Sequence, residues 1–282
     1  MKKSFYFLLF VLLLSLSPLY AHKKELIILH TNDVHSCIMP LSKNLADTFW
    51  ANRGGFFRCV SMVKQQRTIH PDLLLFDSGD FSQGSPYYTL FKGDVEIGLM
   101  NIMHYDAAVI GNHEFDFGLD NMARIFKEAH FPILCANYDF TGTPVQGLVK
   151  PWIILHRKGL KIGVFGVSPH LKGLVDDRKC VGVKFLDPVK TALRVATYLK
   201  KKKKCDLVIC LSHLGWDIHD AQDDENLIQG TRYIDLVLGG HSHSFFKTLE
   251  HATNLDGVSV PDDQNGKSAI YVGDLTLDFV KK

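Results

Sequence analysis

AAVIGNHEFDFG, residues 107–118, joins a run of four apolar residues to a turn carrying an amide, an imidazole and two carboxylates. A short continuous apolar run bounded by glycine fits a strand buried on both faces. Such a strand end normally turns on one or two polar residues. Asn112, His113, Glu114 and Asp116 exceed that need. The stretch is therefore either an unusually well-bonded loop or a site that handles charge.

The same pattern recurs along the chain. ELIILH (25–30) leads into Thr31, Asn32, Asp33, Val34 and His35, and LLLF (73–76) into Asp77, Ser78, Gly79 and Asp80. LVICL (207–211) leads into Ser212 and His213, and IDLVLG (234–239) into Gly240, His241, Ser242 and His243. PILCA (132–136) and IGVFGV (162–167) read as further buried strands, and 268–282 alternates as a half-exposed final strand would. Amphipathic segments of helical length lie between several of these runs, at 54–70, 118–130 and 188–204. The alternation predicts an α/β layered fold with helices packed on sheet faces. Ligands in such folds collect beyond the carboxyl ends of strands, so the five turns are expected to share one crevice.

Bulk properties narrow the function. Residues 1–21 read as a secretory signal, with Lys2 and Lys3 ahead of an apolar run and cleavage after Ala21, retention as an uncleaved anchor being the alternative. The remaining chain, 22–282, is expected to be exported and to form one domain, with no membrane span after cleavage. Losing two lysines turns 32 basic against 30 acidic residues into 30 against 30. Only Lys200 to Lys204 concentrates positive charge, and it reads as a helix end whose cations complement the dipole. That argues against a nucleic-acid partner. The six cysteines show no CxxC spacing; Cys135 and Cys210, inside apolar runs, read as buried thiols.

The polar turns carry metal-ligand chemistry. Asp33 and His35 stand two apart, as do His241 and His243, and in an extended backbone such side chains project to one side. Each pair is expected to grip one ion. Mixed carboxylate and imidazole donors suit zinc, manganese or iron, whereas a thiolate site would need clustered cysteines. Asp80, after Gly79, is placed to bridge two ions.

The blocks ILHTNDVH, GGFFR, DSGDFSQGSPYYTLFKG, AVIGNHEFDFG, LSHLGWD and LGGHSH occur in an order that resembles the calcineurin-like metallophosphoesterases, specifically the catalytic domain of the 5′-nucleotidase family. The resemblance runs from about Glu25 to about Phe279. It implies a four-layer α/β/β/α sandwich with two divalent ions at one edge. Asp33, His35, Asp80 and His243 would hold the first ion, and Asp80, Asn112, His213 and His241 the second. The family's nucleotidase branch often has glutamine at the place of His243. His113 would be the catalytic histidine, with Asp116 as its orienting carboxylate. Water ionised between the two ions would attack phosphorus.

These features lead to an expected function: an exported, metal-dependent hydrolase of phosphate monoesters, with 5′-nucleotides as the substrate class. A cyclic-nucleotide or other phosphodiesterase is the alternative enzyme, and a scaffold that has lost turnover is the alternative outside catalysis. Nucleotide-hydrolysing members continue into a second domain whose aromatic side chains clamp the base, and this chain stops near the close of the catalytic domain. A separate polypeptide is therefore expected to supply that recognition. Phe81, Tyr87 and Tyr88 lie near the site in sequence and are the aromatics that could substitute.

Overall fold

The computed structural model describes residues 24–218 and 222–279; the signal segment 1–21 lies outside the described residues. The chain begins with β1 (Lys24–Thr31), α1 (Phe56–Ile69), β2 (Leu74–Asp77), α2 (Pro86–Phe91), α3 (Asp94–Met103), β3 (Ala107–Val109), α4 (Gly118–Glu128) and β4 (Ile133–Leu134). β5 (Tyr138–Asp139), β6 (Val149–Lys150), β7 (Trp152–Arg157), β8 (Leu160–Val167) and β9 (Lys184–Phe185) follow. The remainder is α5 (Pro188–Thr197), β10 (Leu207–Ser212), α6 (Asp224–Gln229), β11 (Leu236–Leu238), β12 (Glu250–Thr253), β13 (Ser259–Asp263) and β14 (Gly273–Phe279).

Local signals place several of these elements. Ser85 accepts from the Tyr87 and Tyr88 amides ahead of Pro86, and Asp187 accepts from the Lys190 amide ahead of Pro188. Both are N-caps followed by a proline whose missing N–H costs nothing in the first turn. Along α4, Leu119, Met122, Ala123 and Phe126 recur at helical spacing and are buried. The lysine run continues α5 as a wide turn over Tyr198–Lys202, and Lys201 and Lys203 cover the rings of Tyr233 and Trp152.

Two six-stranded sheets stack face to face. One runs β14-β1-β2-β3-β4-β6 and the other β12-β13-β11-β10-β8-β7. β1, β2, β3, β4 and β6 pair in parallel in the first sheet, as do β8, β10, β11 and β13 in the second; β14, β7 and β12 are antiparallel edges. Leu26, Ile28, Leu74 and Phe76 meet Ile162, Val164, Ile209 and Leu211 between the sheets. Each such side chain, fully buried, contributes roughly 1.5–3 kcal/mol. Alternate residues of the first sheet, including Ile27, Leu29 and Leu75, pack on α1, α3 and α4. Phe165, Val208 and Cys210 of the second sheet pack on α5 and α6. The result is the α/β/β/α order of layers.

The sheets approach closely at Gly166. A Cβ there would stand 2.7 Å from Val109 Cγ2 and 2.9 Å from the Leu134 carbonyl. Two hydroxyls tie the sheets together near the carboxyl ends of their strands: Ser78 Oγ donates to the Leu238 carbonyl at 2.7 Å, and Ser168 Oγ to the Ile110 carbonyl at 2.5 Å. That edge holds the five polar turns.

Candidate metal centre

The turns after β1, β2, β3, β10 and β11 do converge, but through a backbone different from the expected one. Asp33, His35, His241 and His243 are not extended. Their φ angles are +49°, +48°, +73° and +56°, and that of Asp80 is +55°. Non-glycine residues rarely occupy the left-handed region, and strain of this kind gathers at functional sites. Asp33 and His35 thus reach one donor group through left-handed turns rather than strand geometry, whereas His241 and His243, expected to grip one ion together, fall into different groups. The Asp33 amide donates to the Gly79 carbonyl and the His35 amide to the Asp80 carbonyl, each at 2.9 Å, which locks the first two turns together.

The donor atoms fall into overlapping groups. Asp33, His35 and His243 form one, and Asp80, His213 and His241 another; His35, Asp80 and His113 form a third between them. Asp33 Oδ1 is buried without a hydrogen-bond partner, 3.6 Å from His243 Nε2, 3.8 Å from His35 Nε2 and 3.9 Å from His213 Nε2. Those spacings are too long for hydrogen bonds and match the roughly 3–4 Å between ligands that each lie about 2 Å from one ion. His213 Nε2 is 3.0 Å from Asp80 Oδ2, yet its geometry makes no hydrogen bond. Asn112 Oδ1 is also buried and unpartnered. Buried polar atoms without partners are uncommon, so their concentration at one spot fits divalent cations.

Supporting groups hold the donors in place. His213 Nδ1 lies 2.6 Å from the Ser78 carbonyl, which takes its proton and turns Nε2 inward. Glu114 accepts from the backbone amides of Asp80, Ser82 and Gly111 at 3.1, 3.1 and 2.6 Å, tying two of the five turns to one carboxylate. A Cβ at Gly111 would lie 2.1 Å from Asp80 Oδ1, so only glycine lets the third turn come so near. Glu114 stands inside the opening stretch; its role depends on spatial neighbours that the sequence pattern does not reveal.

The electrostatics also favour cations. Burial pushes His35, His241 and His243 down to about 4, leaving neutral imidazoles with available lone pairs. Burial opposes charge on His213 too, but Asp80 and Asp33 overcome it and lift that group to about 10. Burial pushes the neighbouring Asp33 carboxyl up to about 7. A pocket whose carboxylates hold an imidazolium this firmly is suited to a divalent ion.

His113 stands beside these groups. Its ring centroid is 5.4 Å from that of His35, and its Nδ1 is 3.1 Å from Asp116 Oδ2. Burial lowers its pKa, but the Asp116 hydrogen bond and the Asp80 field outweigh that and raise it. A cavity of about 510 Å³ opens against His35, His113 and His243. Tyr87 lines it, whereas Phe81 and Tyr88 are buried in the core, so those two cannot act as substrate-facing aromatics. Phe81 packs inward beneath its own turn, and Tyr88 directs its hydroxyl to the His113 carbonyl at 3.2 Å. The sequence reading missed Lys267, which lines the same cavity from a loop far along the chain. All six cysteines are free thiols, and Cys135 and Cys210 are buried.

Comparison with known proteins bears on this geometry. The family model of calcineurin-like phosphoesterases matches residues 26–245. A human 5′-nucleotidase is 33% identical over 274 residues, covering 90% of this chain and 46% of its own length. The structure of a 5′-nucleotidase precursor from Thermus thermophilus superposes with a TM-score of 0.80 at 26% identity, covering 90% of this chain and 51% of that one. A Haemophilus influenzae NAD nucleotidase gives 0.79 at 26% identity over 92% of this chain and 48% of its own. The chain thus spans about half the length of these relatives. With its fold shared and most of its length matched by the family model, this chain belongs to the calcineurin-like phosphoesterase family.

Proposed function

We propose that this chain is an exported, two-metal phosphoesterase that hydrolyses phosphate monoesters, with 5′-nucleotides as its substrate class. The observation that carries the reading is the sharing of Asp80 between donor groups on either side, with His113 at their margin. Asp33, His35, Asp80 and His243 would hold one divalent ion, and Asp80, Asn112, His213 and His241 the other. When bound, such ions supply positive charge against phosphoryl oxygens and acidify water. The chain's own residues do the rest. Asp116 draws the Nδ1 proton of His113 and favours the imidazolium, whose Nε2 proton would neutralise the departing ester oxygen. Similarity to 5′-nucleotidases supports the substrate class, and the apolar leader sequence supports export. A separate polypeptide docking beside the cleft is the proposed source of discrimination among bases.

The test is a metal assay beside a substrate screen. Adenosine 5′-monophosphate, 4-nitrophenyl phosphate, bis(4-nitrophenyl) phosphate and a cyclic nucleotide are offered with and without chelator. Monoester turnover that disappears with chelator and returns with zinc or manganese is expected. Turnover confined to diesters, or two bound ions without turnover, would overturn the reading.

A further inference from the structure

A second cavity, of about 600 Å³, adjoins the one at the metal centre and shares Leu41, His243, Lys267 and Ser268 with it. Its walls differ in character. Leu45, Trp50, Phe245, Ile270 and Tyr271 make it largely apolar. Leu45, Trp50 and Phe245 are among the large hydrophobic side chains the fold leaves exposed, at 38%, 36% and 40%. Scattered exposed apolar residues need no explanation, but several around one hollow do.

The aromatic wall is built from stacked rings on a hydrogen-bonded backbone. The rings of Phe245 and Tyr271 stack with centroids 4.0 Å apart and planes 16° from parallel. Phe245 bridges Asn265 in antiparallel fashion, with the Gly266 amide donating to the Ser244 carbonyl at 2.8 Å and the Phe246 amide to the Gln264 carbonyl at 3.0 Å. This backbone clamp fixes Phe245 two residues beyond His243. The Lys267 ammonium, at the junction of the cavities, has no hydrogen-bond or ion-pair partner among the described residues. It lines both cavities beside His243.

We propose that this hollow is a leaving-group subsite: Trp50, Phe245 and Tyr271 receive the planar ring of an aryl or nucleoside phosphate while Lys267 meets its anionic phosphate. The inference rests on the phosphoesterase reading above. It follows from the continuity of the hollow with the metal-side cavity and from the placing of one unpaired cation where ring and phosphate would join. A mostly apolar wall binds flat rings without distinguishing them, since every base has a stacking face. Discrimination among bases is then a separate property, open to a partner polypeptide.

The experiment uses the metal-loaded full chain. kcat and KM are measured for 1-naphthyl phosphate, adenosine 5′-monophosphate and, as a ring-free reference, propyl phosphate. Trp50→Ala and Tyr271→Ala should each raise KM for the two ring-bearing esters by about 10-fold to 100-fold, the range of one lost stacking contact. Propyl phosphate should change less than 2-fold, and Tyr271→Phe should behave as wild type. An equal loss on propyl phosphate, or no loss on any ester, overturns the subsite. Binding of naphthylmethylphosphonate, which cannot be hydrolysed, is followed by calorimetry in parallel. A wild-type chain that turns over no ester but binds this compound, with at least 10-fold weaker binding in Trp50→Ala, retains the subsite and fails only the phosphoesterase reading. Equal affinity in wild type and Trp50→Ala, or no binding to either, assigns the hollow to something else, such as a polypeptide contact, and overturns the inference.

Discussion

The Nε2 atoms of His35 and His243, 208 residues apart in the chain, lie 2.8 Å from each other. Both rings are neutral at ordinary pH because burial holds them near 4. One must donate to the other, or both must turn lone pairs to a cation. We predict the second arrangement in the loaded protein. His243→Ala should then lower bound metal from two ions per chain toward one, with affinity falling by more than the roughly 10- to 100-fold typical of an outer hydrogen-bond partner. Elemental analysis after dialysis decides it; two ions retained in the variant would remove His243 from the ligand set.

The same low pKa values set a pH window. A histidine near 6.5 when unfolded and near 4 when folded stays neutral through mild acid. His35, His241 and His243 should therefore hold metal at pH 6 and let it go only as pH falls toward about 4, with His213, lifted to about 10, the one histidine that must shed a proton as metal binds. Metal content across a pH series measures this, and release complete by pH 6 would contradict it.

Asp80 and His113 should separate on mutation. Asp80→Asn neutralises the carboxylate shared by the donor groups, so metal content and turnover should fall together. His113→Ala should keep near-normal metal and lose about 10²-fold or more in kcat. Full turnover in His113→Ala would end its catalytic assignment.

Asp224 and Asp262 are buried side by side beneath β11. Burial pushes Asp224 up to about 7 and Asp262 well above the carboxylate range. Raised folded pKa values mean that the pair's stabilising contribution is complete below the unfolded value near 3.8 and is lost as pH rises through about 7. Asp262→Asn should thus raise Tm relative to wild type at pH 8, by about 2–4 °C per kcal/mol recovered, and give little gain at pH 5. A gain of equal size at both pH values would show that the effect is not proton-linked.

Much of the site was legible because its donors follow apolar runs directly: ELIILH to Asp33 and LVICL to His213 are patterns of buried strand and polar turn. The left-handed backbone at Asp33, His35, Asp80, His241 and His243 was not, since φ depends on amides reaching carbonyls of another turn, as Asp33 does to Gly79. Phe81 and Tyr88, near the site in sequence but read first as buried or rim aromatics, are indeed buried. Trp50 stands 217 residues before Lys267 and 221 before Tyr271, so nothing local marks it as their neighbour. The layer order, beyond what resemblance implied, depends on pairings such as β8 with β10 that only tertiary contacts establish.

β1 lies between β2 and β14, pairing Lys24 with Phe279 at one end and His30 with Gly273 at the other. The strand that delivers Asp33 to the site is thus completed by nearly the last residues described. Synthesis proceeds from the N-terminus, so one edge of β1 waits bare until residues 273–279 have emerged. Loop closure over such a separation is slow, and an unpaired strand edge invites association with other chains. Assembly of the metal-binding turns is accordingly a late event, coupled to closure of the first sheet.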